Sequence, residues 1–131
     1  ELKAPGSVLP VMRKTIQQDQ MSMFVGANEN WRNIHTCPDI AKAAGFDTTI
    51  MSGMIQACWF SAMMVSFFGG AFLSGGRLGA TFFAPVKARE TIECRAVVRA
   101  VNPDGTVEVE IWSLNAEGRM TAGGWAIGRK A

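Results

Sequence analysis

His35 is the only histidine in this 131-residue chain, and the chain contains no tyrosine. Imidazole is the side chain whose ordinary pKa lets it exchange a proton near neutral pH. If the protein performs acid–base chemistry through imidazole, the residue is therefore His35. Multi-histidine metal sites and His/Tyr acid–base pairs are excluded, and no metal site is expected. The three cysteines, Cys37, Cys58 and Cys94, lie at wide and uneven spacing. That pattern is no disulfide framework and points to a reducing compartment, the cytoplasm or an organelle matrix. Cys37, two residues from His35, invites a thiol-nucleophile reading, but no orienting partner for such a pair is evident. Cys58 falls in a helix and Cys94 in a strand, and both read as core.

The chain length suits one domain, residues 1–131. Apolar residues make up 48% and charged residues 18%, which excludes a disordered chain. A net charge of +2, with Lys and Arg scattered, argues against a nucleic-acid partner. The sequence begins at Glu1, so it reads as trimmed, processed or a fragment, and no signal-peptide pattern is found. From Thr48 to Gly76 no side chain is charged. Gln56, Ser61, Ser66 and Gly69-Gly70 interrupt this stretch, and no Lys/Arg cluster borders it. It is read as a fully buried helix of a soluble protein, not a membrane span.

Around that helix the elements follow from periodicity. Val8–Ile16 alternates loosely and predicts a strand weakened by Pro10. Gln17–Ala27 carries Met21, Phe24 and Val25 at helical spacing. Asn28–Thr36 is polar and irregular, a loop. Pro38 suits the first position of a short helix that stops at Gly45. The long helix runs from about Ser52 to Phe68, roughly 25 Å, with Thr48, Thr49 or Ser52 as candidate caps. A glycine-rich loop through Gly75-Gly76 follows it. It lacks the Gly-Lys-Ser/Thr element of a phosphate loop, and no dinucleotide fingerprint occurs, so no cofactor is expected. Strands are predicted over Leu78–Phe83, Thr91–Val101, Thr106–Leu114 and Arg119–Arg129. Asn102-Pro103-Asp104-Gly105 and Asn115-Ala116-Glu117-Gly118 are turns. The glycines of the last strand suggest bulges or close approach. A long apolar helix followed by antiparallel strands must be wrapped by a curved sheet, an α+β layout of the hot-dog type. Its open sheet edge implies a homodimer or higher homo-oligomer.

The ordered set His35, Ala44-Gly45-Phe46 and Gly53-Met54, with Thr36-Cys37-Pro38-Asp39 between, resembles the MaoC-like dehydratases, the (R)-specific enoyl-CoA hydratase family. Phe83-Ala84-Pro85-Val86 followed by Glu90 resembles the family's strand with its Pro-Val pair and acidic residue. The resemblance covers nearly the whole chain. The family's aspartate falls on Asn30, its Asn-Pro on Arg32-Asn33 and its Ala-His on Met51-Ser52. Asn30-Trp31-Arg32-Asn33-Ile34-His35 is similar to a branch that carries Asn, any residue, His-Arg-Ile-His, found in 3-hydroxyacyl-thioester dehydratases.

The resemblance implies a lyase of fatty-acid metabolism that interconverts a 2-enoyl thioester and a 3-hydroxyacyl thioester of CoA or acyl carrier protein. Adding water to an enoyl thioester needs a base, a group that places the water, and a sink for enolate-like charge. His35 would be the base, a role worth on the order of 10²–10⁴-fold in rate. Asn30 cannot exchange a proton, but its amide could hold the water and steer the imidazole Nδ–H. The Gly53 N–H, at a helix amino end, could receive the thioester carbonyl. Ser52 and Met54 are candidate substrate contacts. Arg32 could meet a phosphate or be solvated, and the solvated reading is preferred. Two other functions compete. A hot-dog thioesterase usually needs a carboxylate on the long helix, and no Asp or Glu occurs between Asp47 and Glu90. A non-catalytic thioester-binding or partner subunit would tolerate the changes at residues 30, 32–33 and 51–52.

Overall fold

The computed structural model describes residues 4–26 and 32–129. In chain order the elements are β1 (Met12–Thr15), α1 (Gln18–Gly26), α2 (Pro38–Ala43), α3 (Gly53–Phe68), α4 (Phe72–Gly75), β2 (Arg77–Phe82), β3 (Thr91–Val101), β4 (Thr106–Leu114) and β5 (Met120–Arg129). The five strands form one antiparallel sheet in the order β1-β3-β4-β5-β2.

Period-two alternation sets the buried face of the sheet. Ile92, Cys94, Ala96 and Val98 on β3 and Val107, Val109 and Ile111 on β4 are buried. Val97, of the opposite parity, is buried as well, where the chain at Val8 bridges to it, and a register shift follows between Val98 and Ala100. Phe60, Met64 and Phe68 of α3 join this face in one core. The turn between β3 and β4 forms as its residues dictate. Gly105 has φ +86°, and Asp104 Oδ1 accepts the Thr106 N–H at 2.9 Å.

The strands β3 and β4 have the expected bounds, and the other elements begin or end within a few residues of expectation. Three expectations need correction. The first strand starts at Met12 rather than Val8, because Pro10 has no N–H to pair; Val8 makes only an isolated bridge to Val97. The long helix is not buried all round. Ile55, Gln56, Phe60, Met63, Met64 and Phe68 are buried, while Met54, Cys58, Ala62 and Ser66 form an exposed stripe at every fourth position. One sheet can cover only one face of a helix, so Cys58 is not a core residue. The loop after α3 contains a further short helix, α4, whose Phe72 stacks on Phe68 with ring centroids 5.4 Å apart.

On β5 the glycines serve close approach. A side chain at Gly124 would collide with the Gly79 carbonyl of β2, and a Cβ at Gly128 would lie 3.0–3.1 Å from the rings of Phe72 and Phe68. No described helix is long and apolar enough to cross a membrane.

Candidate active site

The segment Thr49–Met51 braces the site from both sides. The Ile50 N–H donates to the Ile34 carbonyl at 3.2 Å. On its other flank Met51 N–H donates to the Val86 carbonyl at 2.7 Å, and Ala88 N–H donates to the Thr49 carbonyl at 3.2 Å. The His35 loop and the Pro85-Val86 segment are thereby joined just before α3 begins. At the rim, Lys87 Nζ meets Asp47 Oδ2 at 2.8 Å. The ammonium holds the Asp47 carboxyl below the usual carboxylate range, and the carboxylate raises Lys87 in return. Both groups face solvent, so the pair adds little to stability.

His35 itself is half-buried and held by backbone and side chain. Its N–H donates to Asn33 Oδ1 at 2.8 Å, and its carbonyl accepts from Gln18 Nε2 at 3.0 Å. Gln18 Oε1 accepts the hydroxyl of Thr49, which is 1% exposed. One amide on α1 therefore ties the histidine loop to the brace. The ring nitrogen Nδ1 lies 2.7 Å from the Ile50 carbonyl oxygen. A carbonyl oxygen can only accept, so Nδ1 carries the proton, and in the neutral ring the lone pair falls on Nε2.

A cavity of about 330 Å³ opens beside this ring. His35, Ile50, Gly53 and Gln56 line it, with Phe82–Val86 forming another wall. A larger cavity of about 440 Å³ near Leu9 and Met63 has Ser66 as its most polar lining side chain and no group that titrates near neutrality. Chemistry, not volume, identifies the cavity at His35. Gly53 opens α3, and its N–H has no acceptor among the described residues. That is expected of a helix amino end. Ser52 occupies the N-cap position without a side-chain cap bond, and Thr49 spends its hydroxyl on Gln18, so neither caps the helix as expected. A Cβ at Gly53 would lie 2.8 Å from the Phe82 ring.

The structure thus brings His35 and Gly53 to one cavity. Ser52 and Met54 are not among its lining residues, and Met54 is 58% exposed. Asn30 lies outside the described residues; the Nδ1 partner expected from its side chain is instead the Ile50 carbonyl. Arg32 is exposed and faces Asp39 at 3.8 Å. Cys37 Sγ accepts from the Thr36 hydroxyl at 3.6 Å and has no hydrogen bond to the imidazole among the described residues.

Two residues escaped the sequence reading. Gln18 sits in a run of four polar residues, Gln17 to Gln20, that pattern alone assigns to a solvated helix face. Gln56 left a signal: an amide one helical turn after Gly53, in the middle of an uncharged apolar run. It is 2% exposed and lies against two buried hydroxyls, Ser113 and Thr121.

A long helix laid on a curved antiparallel sheet of this strand order defines a hot-dog protein. The family described as MaoC like domain matches residues 3–117, and the chain belongs to it. Solved structures of the same fold include the ChsH1–ChsH2 complex from Mycobacterium tuberculosis. It is 18% identical with a TM-score of 0.85, over 99% of this chain and 100% of that one. The (R)-hydratase from A. caviae involved in PHA biosynthesis is 19% identical with a TM-score of 0.85, over 98% of each chain. The R-hydratase PhaJ1 from Pseudomonas aeruginosa is 19% identical with a TM-score of 0.82, over 95% of this chain and 80% of that one. No curated protein matches the sequence.

Proposed function

We propose that this protein is an enoyl-thioester hydratase, running in reverse as a 3-hydroxyacyl-thioester dehydratase, on acyl groups carried by CoA or acyl carrier protein. The observation that carries this reading is the His35 Nδ1–H donated to the Ile50 carbonyl, which leaves a basic Nε2 in the same cavity as Gly53. In the forward direction Nε2 takes a proton from water. The hydroxide oxygen bonds to C3, and the C2–C3 π pair moves toward the thioester oxygen. The imidazolium then returns its proton to C2, so one base serves both transfers. The Gly53 N–H receives the charge that collects on the thioester oxygen. Asn30 is proposed to hold the water. Ser52 and Met54, beside Gly53 in sequence, are proposed to meet the carrier arm outside the cavity. No metal or organic cofactor has a part in this scheme. The free cysteines accord with a reducing compartment such as the cytoplasm.

The MaoC-like membership and the two hydratases among the structural neighbours support the reaction class. The test is loss of enoyl absorbance with crotonyl-CoA and longer enoyl thioesters. Wild type should hydrate at least one of them, and His35→Ala should be slower by roughly 10²–10⁴-fold. Equal inertness of wild type and variant would remove the hydratase reading.

A second reading has its own observation. Phe82, Phe83, Met120 and Trp125 are 44–56% exposed along the β2 edge of the sheet. Such a surface suits a partner chain, and we propose a homodimer across it. The alternative is a non-catalytic hot-dog subunit that needs a different, active partner. Hydrolysis is disfavoured, because α3 carries no carboxylate and Gln56 cannot ionise.

A further inference from the structure

Gln56 is a buried amide with one end occupied and the other open. Its Oε1 lies 2.8 Å from Ser113 Oγ and 2.9 Å from Thr121 Oγ1, and those hydroxyls are 2.8 Å from each other. The three distances form a near-equilateral triangle. A carbonyl oxygen can accept from two donors so close together, whereas the two N–H bonds of an amide nitrogen diverge too widely to address both. Oε1 therefore takes the inner position, and Nε2 points away from the hydroxyls. Nε2 has no acceptor among the described residues. Yet no fully enclosed side-chain nitrogen or oxygen there lacks a partner, so Nε2 keeps access to the cavity that Gln56 lines with His35 and Gly53.

Helix geometry brings the two donors together. Gly53 and Gln56 are three positions apart and share one face of α3. Side chains on a helix lean toward its amino end, so the Gln56 amide lies over the turn that begins at Gly53. The Gly53 N–H is likewise without an acceptor among the described residues. An apolar residue at position 56 would fill the same space. A buried amide there costs desolvation unless all its groups find partners. The Nε2 amide is thus a donor that an acceptor on the ligand can use.

We infer that Gln56 Nε2 is a second hydrogen-bond donor to the thioester carbonyl oxygen, completing with the Gly53 N–H a two-donor site for the charge that develops there. This rests on the hydratase reading and adds to it a side chain anchored by Ser113 and Thr121. Those two hydroxyls are positioning groups, since they act only by holding Oε1.

The experiment compares wild type with Gln56→Met, which keeps length and volume but removes the donor. Two readouts are taken: crotonyl-CoA hydration kinetics, and the carbonyl-edited infrared band of bound butyryl-CoA, which has the carbonyl but no double bond to hydrate. The expected result is a fall in kcat of roughly 10²-fold with little change in KM. The carbonyl band, lowered on binding to wild type, should move back toward its free position in Gln56→Met and stay lowered in His35→Ala. If Gln56→Met keeps both wild-type kcat and the lowered band, the inference is overturned while the hydratase reading stands. If wild type hydrates neither crotonyl-CoA nor any longer enoyl thioester and leaves the band unshifted, the hydratase reading itself has failed. Should Gln56→Met lose its circular-dichroism signature because two hydroxyls are orphaned, the combination with Ser113→Ala and Thr121→Val removes them and carries the same comparison.

Discussion

His35 Nδ1 donates to the Ile50 carbonyl oxygen at 2.7 Å, and this single bond decides which ring nitrogen can act as a base. The acceptor is backbone, so it holds the tautomer without adding a charge. Because the chain has one histidine, the assignment is directly measurable. Nitrogen-15 spectra of the imidazole at pH above its titration should show Nδ1 protonated and Nε2 bare. An Nε2-protonated ring would contradict the geometry.

At Gly53 a methyl group would meet the Phe82 ring at 2.8 Å. Gly53→Ala should therefore destabilise by about 1–3 kcal/mol through overpacking, despite the better helix propensity of alanine. Phe82 is 44% exposed and can be trimmed without opening the core. Adding Phe82→Ala should return most of the lost stability in urea denaturation. A Gly53→Ala variant with unchanged midpoint would show that the ring simply swings aside.

Gln18 does not touch the cavity, yet it links the His35 carbonyl to the Thr49 hydroxyl. Gln18→Leu leaves the buried Thr49 hydroxyl without its acceptor, at a cost of about 1–3 kcal/mol. It should also lower kcat with little effect on KM, because the base loses its support. Adding Thr49→Val should recover stability but not kcat. Recovery of both would mean that Gln18 acts on stability alone.

The cysteines should separate by reactivity and by pH. Burial pushes the Cys94 thiol from near 9.0 up to about 12, whereas Cys58 is exposed. At pH 8 a thiol reagent should modify Cys58 in the native protein and reach Cys94 only after unfolding, as read by peptide mass. A thiol pKa raised in the folded state contributes stability that is intact below pH 9 and lost as pH climbs toward 12. Urea midpoints should fall over that range, and Cys94→Val should flatten the fall. A Cys94→Val profile that parallels wild type would assign the alkaline loss to other groups.

Trp125 and Phe83 lie on the exposed apolar edge at β2 and β5. Placing charge there should prevent association, since burying an unpaired carboxylate is costly. Sedimentation should show a dimer for wild type and a monomer for Trp125→Glu with Phe83→Glu. Wild type sedimenting as a monomer would remove the homodimer and turn attention to a different partner chain.

Much of the architecture was legible locally. β3 and β4 had their bounds marked by strict alternation and by Asn-Pro-Asp-Gly between them, since side-chain parity and turn chemistry act over a few residues. Gly45 and the Gly69-Gly70 pair marked helix ends for the same reason, and the one histidine could be named from composition. The sidedness of α3 was not legible. A helix apolar on every face carries no moment to say which stripe meets the sheet, so Cys58 read as core and stands exposed. The site depended still more on the tertiary structure. A hydrogen bond from His35 to a carbonyl fifteen residues away, or from hydroxyls on β4 and β5 to the Gln56 amide oxygen, has no signature in residue type. Any backbone carbonyl can accept, and only the packing of brace, helix and sheet selects which one does. Sequence alone supplied the base and the helix amino end; the fold chose the tautomer and added the amide beside them.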